Sequence, residues 1–161
     1  MLIICGRRDN YIDVLYYKSI VEFNTHQDCM DTYKLLTERS VDSVIFIEKE
    51  DFQGIVNNLS QTKIEHGKKA IGDVICCVEH KSRIWGLTSF MDVCSKEDDH
   101  LNVDLQTIYK LLSISGFFNY KMPDDLYGNL LIKHYGFPSN YKEIEEEFPH
   151  DNIRKVRIKV K

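Results

Sequence analysis

Histidine and cysteine are the side chains in this sequence whose chemistry could build a metal centre. The six histidines show neither the HExxH pattern nor an i, i+4 spacing, so no helix carries a ready-made pair of zinc ligands. A site assembled from distant residues would need Cys94 and Asp98 to converge with two histidines, His80 and His100. Because histidines in turns and loops are mostly solvated, the sequence predicts no metal centre and no cofactor.

The five cysteines are odd in number, and Cys76 and Cys77 are adjacent. Most of them lie in apolar runs and none forms a CxxC pair, which favours buried, reduced thiols over disulfides or a structural zinc site. Cys94 precedes an acidic segment that would disfavour its thiolate, so it is a poor nucleophile. No serine lies in a GxSxG turn, and covalent catalysis is not expected.

Phosphate and carboxylate chemistry has no clear motif either. The glycines are scattered singly, without GxxxxGK or GxGxxG, so no loop is predicted to cradle a phosphate. Acids at positions 48, 50, 98, 99, 124 and 125 lie where loops and helix starts normally carry them. We therefore predict that the chain is not an enzyme. The alternative is an enzyme with a site built from dispersed residues, with or without a metal.

Charge is distributed unevenly along the chain. The formal net charge is −4, but residues 150–161 carry five basic groups and one acidic group, which leaves −8 on the rest. An acidic body repels phosphate backbones and attracts basic partners. The basic residues near the end have no aromatic residue between them to stack on bases, so nucleic-acid binding is disfavoured.

Acidic residues and tyrosines occur together in the second half of the chain. Tyrosine supplies rigid contact area, and carboxylates steer a basic protein into place. We predict a partner-binding surface, here called the acid–tyrosine patch, formed by Asp98, Asp99, Tyr120, Asp124, Asp125 and Tyr127.

In length, acidity and tyrosine content the chain resembles bacterial immunity proteins, which block a toxin made by the same or a neighbouring cell. That resemblance implies an inhibitor that covers the basic active-site cleft of a nuclease-type toxin. A viral or phage accessory protein that binds a host factor is an alternative with the same surface chemistry.

The bulk composition is that of a globular protein. The chain has 161 residues, of which 43% are hydrophobic and 29% charged, and these values suit one domain with a sizeable core. No apolar run approaches the roughly 20 residues that a membrane span needs. At the N-terminus the apolar residues precede the positive ones, which is the reverse of a secretory signal. We therefore expect a cytoplasmic location and no membrane partner.

A central hairpin is predicted to organise the fold. Val74–Val78 is an apolar run rich in β-branched residues, a polar turn follows, and Arg83–Thr88 resumes the apolar pattern. Two such runs joined by a short turn are typical of an antiparallel hairpin. Its core face would take Leu87 with either Trp85 or Ile84, because the sequence does not fix the register.

The remaining elements follow from periodicity and from capping residues. Before the hairpin we predict strands over Leu2–Cys5, Tyr11–Phe23 and Ser43–Ile47, and Tyr11–Phe23 is either one long strand or two strands bent near Lys18–Ser19. We also predict helices over His26–Arg39 and about 48–60, and a polar loop over Gln61–Lys69. After the hairpin we predict a charged loop over Lys96–His100. Three helices follow: one is capped by Asp104 and ended by Gly116, one lies between Pro123 and Gly136, and the last spans Tyr141–Phe148.

The last segment, Ile153–Lys161, shows the cleanest alternation between apolar and basic residues in the chain. It predicts a strand with one buried face and one solvated basic face, whose charges would protect a sheet edge. The sum is a single α+β domain with a strand-rich part over 1–95, a helical segment over 104–148 and a returning C-terminal strand over 153–160. Its sheet is expected to be mixed or antiparallel, with about five to seven strands.

Overall fold

One mixed sheet forms the centre of the computed structural model, which describes residues 11–17, 34–72, 74–88, 90–95, 99–120, 128–144 and 153–161. Its strands are β1 (Tyr11–Tyr17), β2 (Ser43–Ile47), β3 (Lys63–Lys69), β4 (Val74–His80), β5 (Arg83–Thr88), β6 (Val93–Cys94), β7 (Asp99–Asn102) and β8 (Ile153–Val160). Their order is β2-β8-β1-β4-β5-β6-β7-β3, and the described pairs are antiparallel except β2 with β8. The predicted α+β class is confirmed, with eight strands where five to seven were expected.

The helices follow the predicted periodicity closely. They are α1 (Lys49–Ser60), α2 (Leu105–Ser115) and α3 (Gly128–Tyr135), residues 34–38 are also helical, and a 3₁₀ turn spans Phe117–Asn119. The Asp104 side chain caps α2 by accepting a hydrogen bond from the Gln106 backbone N at 3.0 Å. Gly116 ends α2 in the left-handed conformation at φ 79°, which glycine adopts without strain.

The predicted hairpin is the antiparallel pair β4–β5. Its loop contains only Lys81 and Ser82, both at positive φ, as a tight two-residue hairpin turn requires. Trp85 and Leu87 lie in the main core, while Ile84 packs against a smaller cluster elsewhere. The pairing therefore settles the register that the sequence left open.

The central strands of the sheet are buried on both faces. The main core joins α1, α2 and α3 to residues such as Ile12, Val14 and Trp85, and each large apolar side chain buried in it contributes about 1.5–3 kcal/mol. A second cluster contains Leu15, Leu36, Val74, Cys77 and Cys94. Cys76, Cys77 and Cys94 are buried, and Cys76 and Cys77 carry free thiols, as predicted. Positions 5 and 29 lie outside the described residues.

Two predicted loops are wrong. Gln61–Lys69 was expected to be a loop, but Lys63–Lys69 is β3, an edge strand whose residues are mostly exposed. It lacks an apolar alternation because its pairing with β7, and not a buried face, keeps it extended. Asp99 and His100, assigned to the charged loop Lys96–His100, begin β7 for the same reason.

Two further predictions need correction. Residues 141–144 are not helical, because Asn119 takes the backbone N–H groups of Lys142 and Ile144. The C-terminal strand β8 is confirmed, but it is not an edge strand, since it lies between β2 and β1. Its basic face is not solvated as a whole either, because Lys155 is only 4% exposed.

Some predicted elements lie outside the described residues: Leu2–Cys5, 18–23 of the long first strand, 26–33 of the first helix, the start of the helix after Pro123, and 145–148. Within the described part of the chain, no helix has the length and apolar character needed to cross a bilayer.

Candidate functional site

Two of the six residues of the acid–tyrosine patch lie in the described structure, and they lie apart. Asp99 begins β7 and pairs with Lys69, with 2.7 Å between Oδ1 and Nζ. Tyr120 packs beside Tyr16 of β1, with 6.4 Å between the ring centroids. Four strand spacings separate β1 from β7, or roughly 19 Å. Asp98, Asp124, Asp125 and Tyr127 fall outside the described residues.

Tyr120 lines a cavity of about 190 Å³ together with residues of the 3₁₀ turn, α3 and the segment that follows α3. Ile132, Phe137 and Tyr141 supply apolar and aromatic wall, and Glu143 supplies the carboxylate. The rings of Phe137 and Tyr141 lie 4.5 Å apart between centroids. We call this arrangement the aromatic cavity.

Asn119 holds the segment that carries Glu143. Its backbone carbonyl accepts a hydrogen bond from the Ile144 N–H, and its side-chain Oδ1 accepts one from the Lys142 N–H, each at 3.0 Å. The two hydrogen bonds hold the backbone on both sides of Glu143, so the position of its carboxylate is restrained. The Tyr141 N–H donates to the Pro138 carbonyl at 3.0 Å and closes the turn before it.

The walls of the aromatic cavity are anchored to the core. The Tyr16 hydroxyl donates to the Ser115 carbonyl at 3.2 Å, and burial raises the pKa of Tyr16 far above its ordinary value. Tyr109 in α2 donates from its hydroxyl to the Gly136 carbonyl at 2.6 Å, which ties the end of α3 to α2. The Arg154 guanidinium lies 5.4 Å from the Tyr120 ring centroid, so this ring already contacts one cation.

Tyr120 is the described residue that the predicted acid–tyrosine patch shares with the aromatic cavity, whereas Asn119, Phe137 and Glu143 are not among the predicted site residues. Glu143 belongs to an acidic run that the sequence assigned to a helix, so its place at a cavity could not be read from spacing. Phe137 follows the helix-ending Gly136 and is 63% exposed. It therefore belongs to no buried helix or strand face, and apolar periodicity does not mark it. Asn119 acts through backbone groups more than 20 residues away, which local periodicity does not report.

The histidines of the alternative metal site are in separate environments. His80 is buried, its Nδ1 lies 2.9 Å from the Tyr11 carbonyl, and its ring meets Phe52 edge-on. His100 Nε2 lies 3.3 Å from an Asp92 oxygen and its Nδ1 lies 3.6 Å from a Glu65 oxygen. Three strand spacings, about 14 Å, separate β4 from β7, so His80 does not join Cys94 and His100.

No cluster of three or more His, Cys, Asp or Glu residues suited to a metal ion occurs in the described residues. Asp98, the remaining member of the alternative site, lies outside them. Burial raises the pKa values of Cys76 and Cys77 well above their ordinary range, so these thiols stay protonated.

The basic run of β8 is partly neutralised inside the protein. Asp13, which is 1% exposed, accepts two hydrogen bonds from Arg157 at 2.7 and 2.8 Å. Lys155 Nζ lies 3.4 Å from the same carboxylate and donates to the carbonyls of Thr37 and Arg39 at 3.0 Å. We call these three side chains the buried ionic cluster. It has a structural role that the alternating sequence of β8 did not reveal.

Comparison with known proteins gives no match to a protein-family model, to a curated protein or to a solved structure. The surfaces of the chain itself are therefore the basis for a functional proposal.

Proposed function

We propose that this chain is a protein-binding protein that acts by contact and not by catalysis, and that its partner is basic. The aromatic cavity is the observation that carries the proposal. Its volume of about 190 Å³ lies below the roughly 300–1,000 Å³ of sites for drug-sized ligands. A cavity of this size suits one side chain of a partner protein.

The chemistry of the wall favours a lysine or an arginine. The alkyl part of such a side chain would pack on Ile132 and Phe137. Its charged end would meet the Tyr141 ring and the Glu143 carboxylate, which combine a cation–π contact with a charge-assisted hydrogen bond. The cavity therefore offers an anchor of the kind found at the centre of protein interfaces.

Charge around the cavity supports the same partner. Tyr120 and Gly128 both line the cavity, and the sequence between them contains the acids Asp124 and Asp125. Negative charge near an anchor site accelerates association with a basic protein and fixes its orientation. The net charge of −4 acts in the same direction.

We propose in finer terms that the chain is a cytoplasmic inhibitor of the immunity-protein kind. It would occlude the basic active-site cleft of a nuclease-type toxin, with the aromatic cavity and the part of the acid–tyrosine patch from Tyr120 to Tyr127 as one binding surface. Tyr120 belongs to both, and Asp124, Asp125 and Tyr127 supply the adjacent contacts. Asp99 lies on β7, away from Tyr120, and is not part of that surface.

The experiment recovers the partner from the native cell by affinity capture and measures its association rate at several salt concentrations. Glu143→Lys should slow association about fivefold at low salt and flatten the salt dependence, because it removes an attractive charge at the anchor. Reversal of both Asp124 and Asp125 to lysine should act in the same direction.

The matched control is Glu38→Lys, which changes the net charge equally at an exposed acid outside the cavity. It should alter the rate less than twofold. Equal effects of the two single reversals, or capture of an acidic partner only, would count against the proposal.

A further inference from the structure

In the part of the chain that the structure describes, the outer edge of β2 is open, and it is apolar. Within the described residues β2 pairs only with β8, so its other backbone edge has no strand neighbour. Ile45 and Ile47 pack against the main core, while Val44 and Phe46 on the opposite face are 46% and 57% exposed. An exposed apolar edge is prone to pair with another strand.

The other edge of the sheet, β3, is protected in the usual ways. It carries Lys63, Lys68 and Lys69, and its register with β7 shifts between Ile64 and Lys69, with Gly67 at φ 77°. Lysines and irregular pairing keep foreign strands away from an edge. β2 has neither a charged residue nor a register shift within its five residues.

Positive charge lies beside the open edge. In the β2–β8 register Phe46 is opposite Lys159, and Lys159 is in turn opposite Tyr11 on β1. The same face of β8 carries Lys155 and Arg157, and the carboxylate of the buried ionic cluster balances only one of these three cations. Among the described residues no acidic side chain pairs with Lys159, which leaves it available to a partner.

We infer that β2 is a docking site for an extended, acidic segment of a partner protein, which adds to the sheet as a ninth strand. Backbone hydrogen bonds along β2 would supply affinity, and alternate side chains would supply specificity. Apolar side chains of the segment would cover Val44 and Phe46, and a carboxylate would reach Lys159.

The positive charge of Lys159 favours an acidic partner segment over the β2 strand of a second copy of the chain. In a pair of β2 strands no carboxylate within either strand could meet Lys159, because β2 contains none. The site lies on a different surface from the aromatic cavity and takes a partner segment of the opposite charge. It therefore goes beyond the proposed function, and the two can fail independently.

The probe, called the Glu–Val peptide, is a synthetic heptapeptide Thr-Val-Thr-Glu-Thr-Val-Thr with blocked ends, whose valines and glutamate lie on one face of an extended strand. It is compared with the Lys–Val peptide, in which lysine replaces the glutamate. Each is titrated into the full-length ¹⁵N-labelled protein at low salt. The Glu–Val peptide should bind at least tenfold more tightly and should shift the backbone amide signals of 43–47 and 159. Added salt should weaken its binding, because the contact with Lys159 is screened.

Two variants locate the contact. Phe46→Glu should weaken binding of the Glu–Val peptide at least tenfold, whereas Phe90→Glu is the matched control at a 70% exposed phenylalanine outside both sites and should change it less than twofold. Lys159→Glu should reverse the preference in favour of the Lys–Val peptide. Circular dichroism of each variant checks that the fold is retained.

The inference is wrong if neither peptide binds, if both bind equally, or if the amide shifts lie away from β2. A dimer that Phe46→Glu dissociates would assign the edge to a second copy and would also overturn it. Phe46→Glu should leave association with the basic partner unchanged, and Glu143→Lys should leave peptide binding unchanged.

Discussion

The two ends of the sheet hold their charges in opposite ways. At the end of the sheet that contains β2, β8 and β1, Asp13 and Lys155 are almost fully buried, and Asp13 forms ion pairs with both Lys155 and Arg157. At the β7–β3 end, Lys69 pairs with Asp99 and Lys68 pairs with Glu65 while remaining largely exposed. Similar residues therefore do different work: buried charges must be completely paired to be tolerated, and exposed pairs contribute little to stability.

The buried ionic cluster also specifies how the strands align. Asp13 on β1 is directly opposite Arg157 on β8, and the pair is bidentate. A one-residue slip would turn Asp13 to the apolar face and leave Arg157 without its carboxylate. The exposed pairs of the other end exert no such control, because β3 and β7 already tolerate a register shift.

The largest expected effect tests that difference directly. Asp13→Ala leaves Lys155 buried without its carboxylate, so the free energy of unfolding should fall by about 3–5 kcal/mol. Asp99→Ala removes an exposed pair and should cost at most about 1 kcal/mol. Urea unfolding followed by circular dichroism measures both.

If Asp13→Ala does not fold, Asp13→Asn keeps the side-chain shape and supplies the comparison with Asp99→Asn. Equal losses for the matched variants would show that the two ends do not differ as described.

An intermediate effect comes from the centre of the sheet, where β4 buries the thiols of Cys76 and Cys77. Because burial raises the pKa values of Cys76 and Cys77, the unfolded chain loses these protons first as the pH rises. The folded state then binds more protons, so stability should fall above about pH 9, by about 3 kcal/mol in total between pH 8 and pH 10.

Urea unfolding at pH 8, 9 and 10 measures this slope. A variant with both Cys76→Ala and Cys77→Ala should be less stable at pH 8, since it creates a cavity, but its stability should depend less on pH. An unchanged slope in that variant would exclude the thiols as the cause.

The smallest effect concerns the irregularity that protects β3. Gly67 has φ 77° and open space around its Cα, so Gly67→Ala should destabilise by about 1 kcal/mol through backbone strain alone. Gly54 also has open space, but it lies inside α1 with ordinary helical geometry, so Gly54→Ala should stabilise by up to about 1 kcal/mol. Changes of the same sign would contradict the conformational account of the β3 edge.

Local pattern was enough to predict the elements that bury an apolar stripe. The helix face of Phe52, Ile55 and Leu59 is buried as the periodicity indicates, and Ser43–Ile47 and Ile153–Val160 are strands. Asp104 and Gly116 mark the ends of α2 because caps are local chemistry. Such signals depend on neighbours within a few residues.

Features that depend on distant partners could not be predicted in this way. β3 is a strand because β7 lies beside it, and the solvated face expected for β8 is wrong because Asp13 lies opposite Arg157. The aromatic cavity brings Tyr120 to Glu143 through hydrogen bonds of Asn119, a contact that no spacing in the sequence announces.

The position of β8 between β1 and β2 has a consequence for synthesis. β2 is attached to the sheet through β8, and β1 meets residues about 140 positions later in the chain, such as Arg157 opposite Asp13. Contacts across so long a stretch are slow to form. During synthesis, β1 can pair with β4 as soon as β4 emerges, whereas β2 must wait for β8, its described strand partner, until residues 153–160 have left the ribosomal exit tunnel.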